Sequence, residues 1–535
     1  MGIMGFSDRR TVMKKILLVL CLILVAATAF AGFKGVVNFK PYFKFDNTPA
    51  ADVETEGYYN NIGWKKSEGA QLDDWYMTKQ DYWLEAFRSP SILDLGFVAQ
   101  GDKFGVVFIM DIRQDTLAYF KAGNKGNFSN IPFLTHMIEL NFPRMGYIDY
   151  RSTDGNFYAS VGRRQVKWGP ATYDMAIADS QPFLDNATVQ IDIPMKNGWN
   201  FWYNFMGVAF KYFMAYDKYI DATFREAYPD QFGPKSVFTH KFAVENSHLR
   251  FSFAELNVVY GKDPTLLDFS PTVIWHDNYQ DDFSNVMLSF TAEVKYGPVR
   301  GFANFTMDDY DLPHEVGDNE HTFNSSKPAA IGVVAGVEVN LLEGEEVKSS
   351  KFNYQDYALK DRTFKVNTGL NIGYEIYYCS KFMYNRKYTV GKYTSPYQFI
   401  SFAGAGYCFD TDAFYLGFKY GPDTLLNRLY AEYNNNPYSA YFSAEYLIRG
   451  SYGIESKYGD VDWYNEHLKS PYDLTEPVTH VLMLEAGFAY YLQEGFKVDA
   501  SLGFTSDITH GTSAFRASVG ASIAVCDVDW KNLFK

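Results

Sequence analysis

The stretch from Asn285 to Asp309 reads NVMLSFTAEVKYGPVRGFANFTMDD and alternates apolar with polar residues on both sides of a turn. Before the Gly297-Pro298 turn one face carries Val286, Leu288, Phe290, Ala292, Val294 and Tyr296, and after it the same face carries Val299, Gly301, Ala303 and Phe305. Because successive side chains of a strand point to opposite faces, this pattern predicts a β-hairpin with one apolar and one polar face. The apolar face packs either on a protein core or against lipid.

The same alternation recurs along the chain. Comparable runs are Val366–Ile376, Phe414–Tyr420, Ala440–Ile448, His480–Leu492, Phe496–Thr505 and Phe515–Val525. Most have about 9–11 residues, which is the length that a tilted strand needs to cross a bilayer. Long stretches with apolar residues at helical spacing are almost absent.

One segment is apolar enough to insert as a helix. It is Ile16–Phe30, ILLVLCLILVAATAF, and it is shorter than the roughly 20 residues of a transmembrane helix. Lys14 and Lys15 precede it, and Ala29-Phe30-Ala31 follows as a small-x-small cleavage site. We therefore expect residues 1–31 to be a cleaved signal peptide and the chain to be exported.

These observations predict an all-β fold. An open sheet cannot stand in hydrocarbon, because its edge amides lack partners, so the strands must close into an antiparallel transmembrane β-barrel. The chain length suggests about 16–18 strands in up-and-down order, in the outer membrane of a diderm bacterium. The alternative is a large secreted β-sandwich or β-helix, and the aromatic content of 18% favours the barrel.

The predicted barrel occupies residues 96–535. Residues 32–95 form an N-terminal segment that contains the first strand, and its least strand-like part, Asp46–Arg88, is expected to be a periplasmic or plug element. Long polar connectors are predicted to be outer loops. They are Asp217–Pro234, Asp308–Pro328, Leu342–Arg362 and Gly453–Pro477.

Charge and motif content exclude several functions. The formal net charge of −14 argues against a nucleic-acid partner. Motifs for zinc proteases, serine hydrolases and nucleotide binding are absent from the sequence, and the nine histidines lack metal-ligand spacing. We expect a protein that is not an enzyme and has no metal and no cofactor.

The most distinctive segment is YASVGRRQVKWGPATYDMAIADSQPFLDNATVQIDIP, Tyr158–Pro194. Arg163, Arg164 and Lys167 crowd a strand end that Trp168-Gly169-Pro170 closes, so the strand either leaves the membrane near Gly162 or contains a bulge. Guanidinium groups bind carboxylates through two hydrogen bonds, and an aromatic face stacks on a sugar ring. These four side chains are our predicted glycan-binding residues; the alternative is that they pair with lumenal carboxylates and anchor the interface.

At these residues the sequence resembles a known family. GRRQVKWGP, Gly162–Pro170, is similar to the G-R-x4-W-G-P-G segment of the Wzi capsule-assembly family of outer-membrane barrels, although Ala171 replaces its last glycine. His240–Tyr279 and Phe418–Tyr430 resemble two later blocks of the family. The matching positions are Gly162, Gly169, Pro170, Glu255, Gly261, Pro271, His276, Asp308, Asp309, Gly421, Pro422 and Asp423.

The resemblance implies a large barrel that holds or organises capsular polysaccharide at the cell surface without turnover. Its partners would be outer-membrane lipid, surface polysaccharide and the outer-membrane assembly machinery. The small and charged residues on the polar faces also support a second hypothesis, a porin-type channel for small polar solutes.

Overall fold

A computed structural model describes residues 32–48, 51–55, 62–66, 81, 84, 87–114, 127–131, 138–180, 183–210, 234–261, 263–270, 284–309, 330–347, 352–364, 368–386, 391–401, 406–453 and 473–528. Within these ranges the chain forms an all-β closed antiparallel barrel of 18 strands, as the sequence predicts. Among the described residues, no helix has the length and apolar character needed to cross a membrane.

The barrel strands follow one another in chain order. The first half comprises β1 (Gly32–Phe39 and Tyr42–Asp46), β2 (Leu93–Gln100), β3 (Phe104–Gln114), β4 (Ile138–Arg151), β5 (Phe157–Arg164), β6 (Leu184–Pro194), β7 (Asn200–Ala209), β8 (Lys235–Glu245) and β9 (Leu249–Tyr260). The second half comprises β10 (Ser284–Tyr296), β11 (Val299–Asp309), β12 (Ala330–Glu343), β13 (Gly369–Cys379), β14 (Thr424–Asn435), β15 (Tyr438–Arg449), β16 (Thr479–Gln493), β17 (Phe496–Asp507) and β18 (Thr512–Ala524).

The barrel closes between β18 and the two parts of β1. Phe39 pairs with Ile523, and Tyr42 pairs with Gly520, so the last strand continues along both parts of the first. Strand β2 begins at Leu93, opposite Phe39, and so pairs only with the first part of β1. The second part of β1 pairs instead with the short strand Phe128–Ser129. The wall therefore begins at residue 32, and the boundary predicted at residues 95 and 96 falls within β2.

Smaller elements complete the described structure. Ala51–Thr55 pairs with Ile62–Lys66, Thr394–Ser401 pairs with Gly406–Tyr415, and Val166–Lys167 pairs in parallel with Leu359–Lys360. Two 3-10 helices cover Lys196–Gly198 and Tyr354–Tyr357. Most of Asp46–Arg88 and all of the predicted signal peptide lie outside the described residues.

The two ends of the barrel differ in their connections. At one end the strands are joined by turns such as Gly297-Pro298, whereas long segments such as 210–234 and 450–478 join them at the other end. In outer-membrane barrels the short turns face the periplasm. The prediction that Leu342–Arg362 is an outer loop is wrong. Val339 of β12 pairs with Val299, which directly follows the Gly297-Pro298 turn, so β12 ends and β13 begins at the short-turn end.

The exposure of side chains in the hairpin Asn285–Asp309 shows which environment its apolar face meets. Phe290, Val294 and Tyr296 are 44%, 45% and 80% exposed, whereas Glu293 and Asn304 on the opposite face are both 2% exposed. A water-soluble sheet protein buries its apolar face and exposes its polar face. The inverted distribution is that of a barrel whose outer wall faces lipid and whose polar side chains face inward.

Candidate functional site

The predicted glycan-binding motif lies where β5 leaves the barrel wall. Gly162 has a φ of +136°, and a Cβ there would lie 2.2 Å from the Gly146 backbone oxygen, so only glycine fits this close approach to β4. The next residue, Arg163, shares the outward phase of Val161 and holds Asp185 of β6 through two hydrogen bonds of 2.7 and 2.8 Å. This contact joins neighbouring strands on the outer wall.

Arg164 and Trp168 point into the barrel. The Arg164 guanidinium lies 4.5 Å from the centre of the Tyr147 ring and donates a 2.6 Å hydrogen bond to the Tyr158 hydroxyl. The indole of Trp168 is 4% exposed, and the Lys241 ammonium lies 4.7 Å from its ring centre. Both side chains contact protein groups, although the buried Arg164 Nε makes no hydrogen bond, and their assignment to a glycan stays a prediction.

Gly169 and Pro170 fix the path of the chain inside the lumen. Gly169 has a φ of +65°, and its N–H donates to Asp361 Oδ2 at 3.0 Å. The Pro170 carbonyl accepts a 3.2 Å hydrogen bond from Arg300 of β11. The motif is therefore the point at which the segment 165–180 enters the barrel and is fastened to its far wall.

The other family-motif positions are dispersed over the barrel. Gly261 has a φ of +71°, and its N–H donates to the Pro234 carbonyl at 3.0 Å. Glu255 is fully buried although it shares the outward phase of β9. Pro271 and His276 lie outside the described residues, and Asp309 ends β11, but its side chain also lies outside them.

Two carboxylates of the motifs hold backbone amides. Asp308 Oδ2 accepts from the Tyr384 N–H at 3.0 Å. The buried Gly421-Pro422-Asp423 turn places the Asp423 carboxylate 3.0 Å from the Tyr452 N–H, and burial raises the pKa of Asp423. These acids fasten segments at the long-connection end, and the motif positions do not form a single described cluster.

Three inserted segments occupy the lumen: 165–180 and the described part of 380–423 from the long-connection end, and 352–364 from the short-turn end. Together with the inner wall, the first two build one apolar core. The inserted residues include Val166, Trp168, Met175, Ile177, Tyr384, Tyr393, Leu416 and Phe418, and the wall contributes Met206, Val237, Leu256, Val258, Met287, Val334, Tyr377 and Leu426. From the third segment, Phe352 packs on inward-facing Val36, Val98 and Val107.

Neighbouring strands of the inner wall carry charged residues of opposite sign, except that Glu338 of β12 and Glu375 of β13 are both acidic. This inner-wall ladder consists of Glu245, Arg250, Glu293, Arg300, Glu338, Glu375, Arg428 and Glu445. Arg300 Nε lies 2.7 Å from Glu293, and Arg428 bridges Glu375 and Glu445 at 3.1 and 3.2 Å. The Tyr430 hydroxyl donates to Glu338 at 2.8 Å, between the two arginines.

The inserted segments are hydrogen-bonded to this ladder. The Thr172 N–H donates to Glu375 at 2.9 Å, the Tyr173 hydroxyl donates to Glu445 at 2.6 Å, and the Phe364 N–H donates to Glu293 at 3.0 Å. Burial, followed by the charge of Glu445, raises the pKa of Tyr173 well above its usual range. The ladder therefore acts as a frame that fixes polar groups of the inserts.

Lys419 of the 380–423 segment reaches the same frame. Its ammonium lies 3.6 Å from Glu445 and 4.1 Å from the centre of the Tyr173 ring. Burial lowers the pKa of Lys419 to about 8, although the neighbouring Glu445 acts in the opposite direction.

Two of the four predicted glycan residues are partly accessible, Arg163 on the outer wall and Lys167 in the lumen. Lys167 is half-buried and pairs in register with Lys360, which is exposed. Surrounding residues still shield part of the Lys360 side chain from water. This partial burial, together with the nearby charge of Lys167, lowers the pKa of Lys360. Sequence reasoning missed Lys360, because nothing in its local pattern indicates that it lies beside a residue so distant in the chain.

The likeness of this chain to known proteins lies in its structure. No family model matches, and no curated protein sequence matches. A similar solved structure is Wzi of Escherichia coli, described as an outer membrane protein involved in group 1 capsule assembly and a carbohydrate-binding β-barrel. It is 13% identical with a TM-score of 0.48, and the match covers 98% of this chain and 90% of Wzi.

Porin-type structures are also similar. OccK11 of Pseudomonas aeruginosa is 6% identical with a TM-score of 0.39, over 92% of this chain and 95% of that one. A mutant of the Rh. blastica porin is 12% identical with a TM-score of 0.31, over 93% and 100% of the two chains. The solved structures that this barrel resembles thus include both a capsule-assembly protein, as the motifs predict, and porins.

Proposed function

We propose that this outer-membrane barrel holds or organises surface polysaccharide at the cell surface without turnover. The observation that carries the proposal is the occupied lumen, because a barrel that conducts solutes needs an open path. Here an apolar core that includes Trp168 and Phe418 stands in the lumen, and the inserted segments are hydrogen-bonded to the inner-wall ladder. Such a barrel is suited to presenting a rigid surface.

The proposed glycan contacts centre on the two neighbouring lysines. Lys167 and Lys360 lie side by side, so their charges favour an anionic sugar such as a uronate. Arg163 is a further contact that would have to exchange its bond to Asp185 for one to the glycan. Arg164 and Trp168 are proposed to act by positioning, since the first stacks on Tyr147 and the second is buried.

The route to the outer membrane is part of the proposal. Residues 1–31 would direct export and be cleaved, and the assembly machinery would insert the barrel, whose apolar outer wall then contacts lipid. The segment 32–95 would contribute β1 and a plug element, a role supported by the 2.8 Å ion pair between Asp81 and lumenal Arg449.

One observation favours the alternative of a porin-type channel. A cavity of about 320 Å³ lies between Tyr354 of the inserted segment and the inner face of β17 and β18. Its lining includes Lys497 and Asp499, whose side chains are 39% and 34% exposed. A narrow polar passage along this wall would serve small solutes.

Conductance in planar bilayers separates the two functions. We expect the wild-type barrel to give no large steady ohmic current. A variant lacking residues 353–363 should conduct, because the deletion widens the cavity that Tyr354 borders beside β17 and β18, while the apolar core stays in place. The deletion variant also serves as the positive control for insertion. A large steady current from the wild type would contradict the binding proposal and favour the channel.

Staining of cell-associated polysaccharide tests the glycan contacts. In a strain that depends on this protein, we expect Lys167→Ala/Lys360→Ala to reduce retained glycan while the barrel still inserts. Lys497→Ala is a matched control, since it removes a half-exposed lysine elsewhere in the lumen. Full retention by the double variant would show that the lysine pair is not the site, and full retention after deletion of the gene would reject the function.

A further inference from the structure

The outer wall of β7–β12 carries two neighbouring rows of side chains, which differ in size over β10–β12. Five aromatic residues lie opposite one another in register and form an aromatic ridge: Tyr203, Phe242, Phe253, Phe290 and Phe305. The next row, two residues nearer the short turns, continues from Phe251 into Ala292, Ala303 and Ala335. Small side chains beside large ones leave a trough in the wall.

The ridge is packed and the trough is apolar. Ring centres are 4.9 Å apart for Tyr203 and Phe242 and 5.0 Å apart for Phe253 and Phe290. The trough has a volume of about 560 Å³, and its lining includes Phe251, Phe290, Ala292, Ala303 and Phe305. On its other side, Val294 and Val337 lie in the following row and are 45% and 44% exposed, with Gly301 between them, so this second edge is open at β11.

The depth of the trough follows from the turn below it. Tyr296, 80% exposed beside the Gly297-Pro298 turn, marks the lipid-water interface at the short-turn end. Ala292 comes four residues before Tyr296, about 14 Å along the strand, which a tilt of roughly 40° reduces to about 10 Å of height. Because the apolar band is about 25 Å tall, the trough lies in its periplasmic half.

We propose that this trough binds one acyl chain of a phospholipid from the periplasmic leaflet. A lipid-facing void loses dispersion contacts unless an apolar group fills it, and the groups available at this depth are acyl chains. The trough crosses strands spaced about 4.8 Å apart. Its alanines cover β10–β12, roughly 10 Å, and its lining continues to Val244 of β8, roughly 19 Å in all, long enough for most of a chain. The packed rings of the ridge keep its edge in place without a bound partner, which reduces the ordering cost of binding.

The test compares lipid retained by barrels purified from outer membranes in mild detergent, measured by native mass spectrometry. We expect about one phospholipid per wild-type barrel and about a tenfold lower retained fraction for Ala303→Phe, whose ring fills the trough. Ala500→Phe is the matched control, because Ala500 is an exposed outward alanine of β17 between Val498 and Leu502, and should retain phospholipid as the wild type does.

Three results would overturn the proposal: no phospholipid on the wild type, undiminished retention by Ala303→Phe, or lipopolysaccharide as the retained lipid. Folding is checked by the heat-modifiable mobility of each variant on gels. If Ala303→Phe does not fold, Ala303→Leu fills part of the same space, and it too must lower retention below that of Ala500→Phe.

Discussion

Arg428 offers a direct measure of how firmly the inner-wall ladder holds the inserts. Its guanidinium lies 3.1 Å from Glu375 and 3.2 Å from Glu445, and these carboxylates are 1% and 6% exposed. Removing one partner of a buried ion pair costs about 3–5 kcal/mol, because it leaves an uncompensated charge. Since Lys419 remains 3.6 Å from Glu445, mainly Glu375 loses compensation, and we expect Arg428→Leu to cost about 3 kcal/mol, near the lower limit.

The assay is urea unfolding in detergent micelles, with the folded fraction read from heat-modifiable mobility. Adding Glu375→Gln to Arg428→Leu should recover much of the lost stability, because it removes the uncompensated charge and keeps an oxygen that accepts from the Thr172 N–H. The matched control is Lys497→Leu, which breaks a half-exposed pair with Asp499 and should cost no more than about 1 kcal/mol. A loss below about 1 kcal/mol for Arg428→Leu would refute the reasoning.

Three further predictions concern the inserted segments. The pKa of Lys419 is about 8 in the barrel, below its ordinary value of 10.5, so the unfolded chain binds more protons between these values. The free energy of unfolding should therefore rise by about 1.5 kcal/mol from pH 8 to pH 9.5 in the wild type and not in Lys419→Met; equal slopes would contradict this. Gly169→Ala should cost at least about 1–2 kcal/mol, because φ is +65° and the new Cβ would lie 2.0 Å from Asp174 Oδ2; an unchanged urea midpoint would refute it. Trp168→Ala should cost about 3–5 kcal/mol by the same measurement, since the indole is 4% exposed, and a loss below about 1 kcal/mol would show that the site collapses or hydrates without penalty.

The barrel wall could be predicted from sequence because its rule is local. A strand between lipid and a polar interior must alternate at period two, so Phe290 and Glu293 reveal their faces from their positions alone. The structure confirms this with exposures of 44% and 2%. The strand number also follows, since strand length is set by the bilayer and the chain length then limits how many strands fit.

The inserted segments could not be predicted because their order depends on distant partners. Thr172 meets Glu375, and the neighbouring segment places Gln355 beside Gln165. Neither contact leaves a periodic pattern in the sequence. Leu342–Arg362 shows the limit clearly: a polar connector has the same composition whether it projects outward or folds into the barrel.

The positions of the predicted site residues along the strand already indicate which face each one occupies. The sequence analysis assigns Arg163 and Arg164 together to one glycan site at a strand end, yet adjacent strand residues point to opposite faces. The first contacts Asp185 on the outer wall and the second stacks on Tyr147 inside. Applied to this strand end, the alternation rule separates the two arginines from the sequence alone.

The parallel pair formed by Val166–Lys167 and Leu359–Lys360 has a mechanical consequence. Its members enter the barrel from opposite ends and are joined by the bonds Leu359 N–H to Gln165 O, 2.8 Å, and Asp361 N–H to Lys167 O, 3.0 Å. The segment that enters from the periplasmic side is therefore hydrogen-bonded, within the lumen, to the segment that enters from the outer side. Displacing either segment therefore requires these hydrogen bonds to break or the other segment to move with it.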